Sequence, residues 1–310
     1  MKILVTGGAG FIGKHLVKFL LEKGYLVTIF DNFSNSTKDS VLSLVDMSAK
    51  VIEGDITKPL DIINAVKDHD IVIHLAAKIS VSESISNPLE TFQVNVDGTR
   101  NVLESCEKNR VKKLIISSSA AVYGEGSPDV KLTEESKTSP ISPYGESKVK
   151  MEQMIREFAS KHDINCVVLR FFNIYGIGQS SEYAGVITKF IQRIAKNKPL
   201  EVFGDGLQIR DFVSIYDVVR AFDCAIRSKK AGTYNIASGK SITINELAKL
   251  ILSVSGKELE VIHTQEKKGD IKFSQADISL AQKELEFNPQ IKLSDGLLEL
   301  ISMVSEPTSS

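Results

Sequence analysis

Thr6-Gly7-Gly8-Ala9-Gly10-Phe11-Ile12-Gly13 decides how the rest of the chain is read. An apolar run at residues 3–6 precedes it, and a helical pattern over 10–22 follows. Gly7, Gly10 and Gly13 stand three residues apart between the two. Glycines so placed permit a tight turn, close approach of a pyrophosphate to the backbone, and close packing of helix on strand. The helix N-terminus then turns its positive dipole end toward the phosphates. About 20 residues on, the second strand-like run (26–30) ends in Phe30-Asp31-Asn32. An acid there accepts the ribose hydroxyls of an adenosine and repels a 2′-phosphate, which favours NAD over NADP. Lys38 lies nearby, but no arginine occupies this loop.

The pattern continues outward. Short apolar runs at 51–53, 71–75, 113–118 and 166–171 alternate with helical stretches at 91–108 and 144–161. The runs do not alternate polar with apolar, so the strands are expected to be buried on both faces, in a parallel sheet covered by helices. Pro143 immediately precedes the second helix and suits a helix start. Beyond residue 175 the elements shorten. Helices are expected at 186–196, 216–227, 244–254 and 294–304, and strands at 200–203 and 259–262. The fold class is therefore α/β, a Rossmann-type doubly wound parallel sheet with a smaller mixed C-terminal lobe. We divide it into a dinucleotide-binding domain over 1–175 and a substrate lobe over 176–310. No linker-like break separates them, so the lobes are expected to interleave. The polar tail 306–310 is expected to fray.

Composition narrows the function. The chain has 310 residues, 42% hydrophobic and 25% charged, which excludes disorder, collagen and coiled coil. With 38 basic and 39 acidic residues the net charge is −1, so the bulk field of a nucleic-acid binder is missing. Cys106, Cys166 and Cys224 are three in number, far apart and without CxxC spacing. They imply no disulfide framework and no metal site, and fit a reducing compartment. No apolar run approaches the roughly 20 residues that span a bilayer. Met1-Lys2 runs directly into the first strand, so no signal peptide is expected and the cytoplasm is the expected location.

Tyr144 and Lys148 are four apart and share one helix face. An ammonium beside a phenol stabilises phenolate, so Lys148 is expected to lower the Tyr144 pKa and make it a base near neutral pH. Ser117-Ser118-Ser119 ends a strand upstream, and one of these hydroxyls could complete a Ser/Tyr/Lys set.

Taken together these motifs resemble the extended short-chain dehydrogenase/reductase family, in its NAD-dependent nucleotide-sugar epimerase branch. The resemblance runs through TGGAGFIG (6–13), HLAA (74–77), NVDGT (95–99), SSSAAVYG (117–124), YGESK (144–148), RFFNIYG (170–176), GDGLQIRDF (204–212) and KKGDIKFSQAD (267–277). It implies that Tyr144 is the base, that Ser119 bonds the sugar 4-oxygen, and that Lys148 holds the nicotinamide ribose. It also implies cofactor contacts from Gly7, Gly10, Phe11, Ile12, Gly13, Asp31, Asn32, Ser36, Asp55, Ile56, Leu75, Ala76, Ala77, Asn95 and Ser117. For a UDP-sugar it implies Asn173 and Arg210 on the diphosphate, Phe203 on the uracil with backbone near Glu201 at its edge, and Asp270 on the ribose. His74 reads as a packed strand-end residue. Lys267 stands where the family usually has arginine, and lysine cannot form the bidentate fork to phosphate.

Relatives that dehydrate or decarboxylate the sugar carry acids just before VYG, where this chain has Ala120 and Ala121. That leaves reversible hydride chemistry at C4. Ser274 occupies the position that lines the hexose C2 pocket in the family. A small residue there leaves room for an N-acetyl group. The alternatives are a UDP-glucuronate 4-epimerase, a nucleotide-sugar 4-ketoreductase, or a non-catalytic NAD-sensing module, which would be expected to lose Tyr144 or Lys148. By resemblance, a homodimer would form through the helices at 91–108 and 144–161.

Overall fold

The computed structural model describes residues 1–179, 185–266 and 269–305. The strands of the first half, joined by one later strand, form a single parallel sheet of seven. Its spatial order is Gly232–Ile236, Asn165–Phe171, Lys113–Ser119, Ile71–His74, Lys2–Thr6, Leu26–Asp31 and Lys50–Glu53. The chain winds outward one way from Lys2–Thr6, then returns and winds the other way from Ile71–His74. The switch lies between those two neighbours, at the carboxyl edge where the glycine loop and residues 75–77 emerge. A parallel doubly wound sheet opens its ligand crevice at such a place.

Six strands are largely buried, five of them as their continuous apolar runs require. The seventh, Lys50–Glu53, differs from the sequence expectation: all four residues are exposed. It is an edge strand and, among the described residues, pairs through Leu26–Asp31 alone. Two apolar cores cover the sheet. One joins Leu16, Val17 and Leu20 of helix Phe11–Glu22 to Val218, Ala221 and Phe222 of helix Ile215–Arg227. The other joins Ile62 and Val66 to Val102, Leu103, Met151 and Ile155.

Later segments thus return to the first half. Helix Ile215–Arg227 packs on the glycine-loop helix, and strand Gly232–Ile236 completes the sheet. The latter was missed in the sequence because Gly232-Thr-Tyr-Asn-Ile236 is short and mixed in polarity. Lys113 ties the halves further: its buried ammonium donates to the carbonyls of Ala225 (2.8 Å), Ile226 (3.0 Å) and Ser228, ending that helix.

The remaining lobe has its own core of Phe190, Ile194, Leu200, Val202, Leu247, Ile251 and Leu297. It carries the pair Leu200–Phe203 and Val261–Thr264, the latter placed two residues later than the sequence suggested. A small sheet is built around Ile209–Ser214. The helix expected over 91–108 is broken into Pro88–Phe92, a π turn over Gln93–Asp97, and Gly98–Lys108. No described helix is long and apolar enough to cross a membrane. The tail 306–310 lies outside the described residues.

Candidate active site

A cavity of about 490 Å³ opens at the switch point. All the expected cofactor residues from Gly7 to Ala77 line it. Gly7 has φ +68°, and a Cβ there would meet the Ala76 nitrogen at 2.6 Å. A Cβ on Gly13 would meet the Gly7 carbonyl oxygen at 2.4 Å. The loop is therefore closed to any side chain at either position. The following helix has no side-chain cap at Gly10 and no acid in its first turn. Its leading N–H groups are left for an anion. That free helix end, the glycine cradle and the carboxylate at the end of the second strand are a donor set that fits a dinucleotide.

Asp31 is engaged before any ligand arrives. Its carboxylate accepts from the backbone N–H of Ala9 (2.9 Å) and of Phe33 (2.8 Å). Burial still raises its pKa above the usual carboxylate value, with those bonds opposing. Asn32 donates to Asp55 (3.1 Å), joining the loops that follow strands Leu26–Asp31 and Lys50–Glu53. Lys38 is turned to Glu53 (2.6 Å) rather than to the cavity.

Two expected cofactor residues are placed otherwise. Asn95 sits in the π turn, wholly buried and off the cavity lining. Its amide bonds Lys78 backbone N (2.8 Å) and O (3.0 Å) and the Ser147 hydroxyl (3.0 Å). It holds the 75–78 loop to the Tyr144 helix and has both amide hydrogens committed within the chain. Ser117 likewise donates its hydroxyl to the His74 carbonyl (3.2 Å). His74 itself is packed at the strand end, its ring nitrogens on Thr6 (2.7 Å) and Thr99 (3.0 Å). Burial and the nearby Lys148 charge hold its pKa down at about 3, so it stays neutral.

Tyr144 and Lys148 begin the helix Pro143–Ala159. Pro143 stands in its first turn, and the Ser142 hydroxyl caps it by accepting from Gly145 N (3.1 Å). Ser119 ends its strand in the same region. Its hydroxyl accepts from Ala121 N (3.2 Å) and lies near enough to the Tyr144 phenol to act on its pKa. The Lys148 ammonium is 5.9 Å from the Tyr144 ring centre and donates to the Ser117 carbonyl (3.1 Å).

The expected electrostatics are corrected here. Burial raises the Tyr144 pKa, and Ser119 opposes it; Lys148 is not among the causes. Burial instead acts on the lysine, pulling it down to about 8 against the pull of Glu152. A four-residue spacing of charge and phenol leaves out the cost of desolvating both.

Glu152 was not singled out in the sequence. It lies one turn beyond Lys148 and is almost fully buried. Arg170 binds it with both arms (Nε–Oε1 2.9 Å, Nη2–Oε2 2.6 Å), and Ser118 donates to Oε1 at 2.6 Å. Arg170 also donates to Tyr123 (2.8 Å), which donates to Asn235 (2.6 Å). This network pins the serine run from behind. Its only sequence trace is a glutamate four residues after Lys148 in an otherwise ordinary helix.

A second cavity, about 370 Å³, lies in the smaller lobe. Asn173, Glu201, Phe203, Arg210 and Asp270 all line it, as do Gln208 and Tyr175, which the sequence reading did not name. Gln179 lines both cavities. Arg210 donates to Asp270 (2.8 Å). Along strand 200–203, Leu200 N and then Gly204 N bond the neighbouring strand. By alternation the Glu201 backbone faces the unpaired edge, free for a base. The Glu201 side chain is held by Arg193 (2.8 Å). Ser274 is corrected: it is buried on Phe273–Ser274, in register with Arg210, and is not on the cavity lining. Lys267 lies outside the described residues.

Asp211 joins the halves behind this cavity. Its carboxylate takes the Ser238 N–H (2.8 Å) and hydroxyl (2.6 Å), and burial raises it from 3.8 to about 6. A raised carboxylate stabilises the fold below its unfolded pKa and loses that contribution as pH rises through the folded one. Measured by urea unfolding, the wild type should lose stability relative to Asp211→Asn between pH 4 and 6, then run parallel to it. Parallel curves throughout would contradict this.

The profile of the NAD dependent epimerase/dehydratase family matches residues 3–237. A UDP-glucose 4-epimerase of Dictyostelium discoideum is 36% identical over 310 residues, covering 92% of this chain and 90% of that one. The structure of a UDP-N-acetylglucosamine 4-epimerase from Methanobrevibacter ruminantium, in complex with UDP-N-acetylmuramic acid, superposes with TM-score 0.92 at 37% identity, covering 97% of each chain. That of a UDP-glucuronic acid 4-epimerase variant from Bacillus cereus, with a fluorinated UDP-glucuronic acid and NAD, gives TM-score 0.91 at 32% identity, covering 98% and 99%.

Proposed function

Because the chain belongs to the NAD dependent epimerase/dehydratase family, we propose that it interconverts the C4 epimers of UDP-glucose and UDP-galactose, and of UDP-GlcNAc and UDP-GalNAc. The observation that carries the chemistry is the gathering of the Tyr144 phenol, Ser119 and the Lys148 ammonium in one place. Ala120 and Ala121 supply no acid next to it. NAD, when bound, supplies the hydride acceptor and donor.

Tyr144 takes the proton of the C4 hydroxyl and returns it on the other face, with Ser119 bonding the same oxygen. Lys148, its ammonium 5.9 Å from the Tyr144 ring centre, holds the nicotinamide ribose. Arg210 and Asn173 hold the diphosphate while the keto sugar turns over. Phe203 and the free backbone edge at Glu201 receive the uracil, and Asp270 the ribose. Lys267 would add charge without a fork.

Ser274 supports the acetylated substrates by its lack of bulk rather than by contact. A panel of UDP-galactose, UDP-GalNAc and UDP-glucuronate, followed by NMR, tests the range. Conversion of the first two is expected. Conversion of UDP-glucuronate alone would favour the related glucuronate epimerase, and stoichiometric consumption of NADH a reductase. We place the protein in the cytoplasm as a homodimer joined through helices Gly98–Lys108 and Pro143–Ala159. Light scattering should give about twice 34.1 kDa; a monomer would contradict that contact.

A further inference from the structure

The segment Gly124-Glu125-Gly126 follows the Ser119 turn and has no part in the chemistry above. Both glycines are required by close approach. Gly124 has φ +70°, and a Cβ there would sit 2.0 Å from the Ser139 carbonyl oxygen. A Cβ on Gly126 would sit 2.5 Å from the Phe273 carbonyl oxygen. Between them Glu125 reaches across to the smaller lobe. Its Oε1 accepts from Lys272 N (3.0 Å) and Phe273 N (2.8 Å), and its Oε2 from Lys272 N (2.9 Å). Gly126 N donates to Phe273 O (3.0 Å) beside it.

What Glu125 grips is the strap that carries a nucleotide contact. Asp270 lies two residues before Lys272 and holds Arg210. Arg210 also donates to the Lys272 carbonyl, at 3.4 Å, and to its neighbour Ile209, at 2.9 Å. One path therefore runs from Ser119, through the turn at 120–124, to Glu125, the strap, and the Asp270–Arg210 pair.

We propose that Glu125 is a positioning residue that latches residues 269–274 to the Ser119 turn and so holds the nucleotide-gripping pair in its binding position. The inference rests on the reading of Arg210 and Asp270 as nucleotide contacts. Hydrogen bonds to a charged group contribute more than neutral ones, and here one carboxylate serves two donors.

The test uses holoenzyme with Glu125→Ala and Glu125→Gln. In the alanine variant, the Kd for UDP by calorimetry and the KM for UDP-galactose should rise roughly tenfold, the equivalent of about 1.4 kcal/mol. kcat and bound NAD should stay near wild type. Glutamine keeps one acceptor oxygen and should fall between. Hydrogen exchange at the Lys272 and Phe273 amides should quicken in the alanine variant. A merely structural role would lower Tm, kcat and bound NAD together and leave KM alone. Unchanged exchange at those amides, or a KM and UDP affinity within twofold of wild type, would overturn the latch. Failure of the wild type to bind UDP would instead count against the nucleotide reading, and the exchange result would still decide the latch.

Discussion

Tyr144→Phe is expected to cost roughly 10²–10⁴ in turnover, the range a positioned acid–base group supplies. The cause is local. The phenol oxygen is the one group that the arrangement offers to carry the C4 proton, and phenylalanine keeps the ring that packs at the head of its helix. The helix start does not use the hydroxyl: Ser142 caps it, and Tyr144 N donates to Ser84 (3.1 Å). Tm and bound NAD should therefore match the wild type. Steady-state rates on UDP-galactose, with Tm measured alongside, check this. A variant keeping a tenth or more of its activity would remove Tyr144 from the base role.

Glu152→Ala carries the largest expected loss of stability. It would leave the Arg170 guanidinium, with 3% of its side chain exposed, without its carboxylate. Breaking one side of a buried pair typically costs about 3–5 kcal/mol. For a chain of this size that lowers Tm by on the order of 10 °C. Ser118 would lose its acceptor as well, loosening the run that presents Ser119. Removing the stranded charge in the double variant with Arg170→Met should recover much of the loss, because an apolar pair avoids the desolvation penalty. Thermal unfolding of both variants is the measurement. A single variant within about 2 °C of wild type would show that Arg170 finds another partner.

The parts legible in the sequence share a physical reason. Glycines at 7, 10 and 13, the acid at 31 and the Tyr144–Lys148 pair are fixed by local geometry, so their spacing along the chain is their signal. The central sheet was legible for the same reason, since strands buried on both faces leave unbroken apolar runs. Contacts made at long range leave no such trace. Strand Gly232–Ile236 joins the sheet 61 residues after its neighbour ends at Phe171 (232 − 171), and only tertiary packing says so. Asn95 looked like a cofactor residue because its motif is familiar, while the π turn spends its amide on the chain itself. Ser274 was placed by analogy, and it is buried on its strand outside the cavity lining. The Tyr144 pKa went astray because burial cannot be read from a four-residue spacing, and burial is the largest cause acting on both members of the pair.

The central claim is that one hydride leaves C4 and returns to the same carbon with bound NAD and without net oxidation. Incubating the purified protein, without added cofactor, with UDP-galactose deuterated at C4 tests it most directly. The account predicts UDP-glucose that retains deuterium at C4, read by proton NMR, with none lost to water. Conversion with the label washed out would contradict it, as would failure to convert even when NAD is supplied.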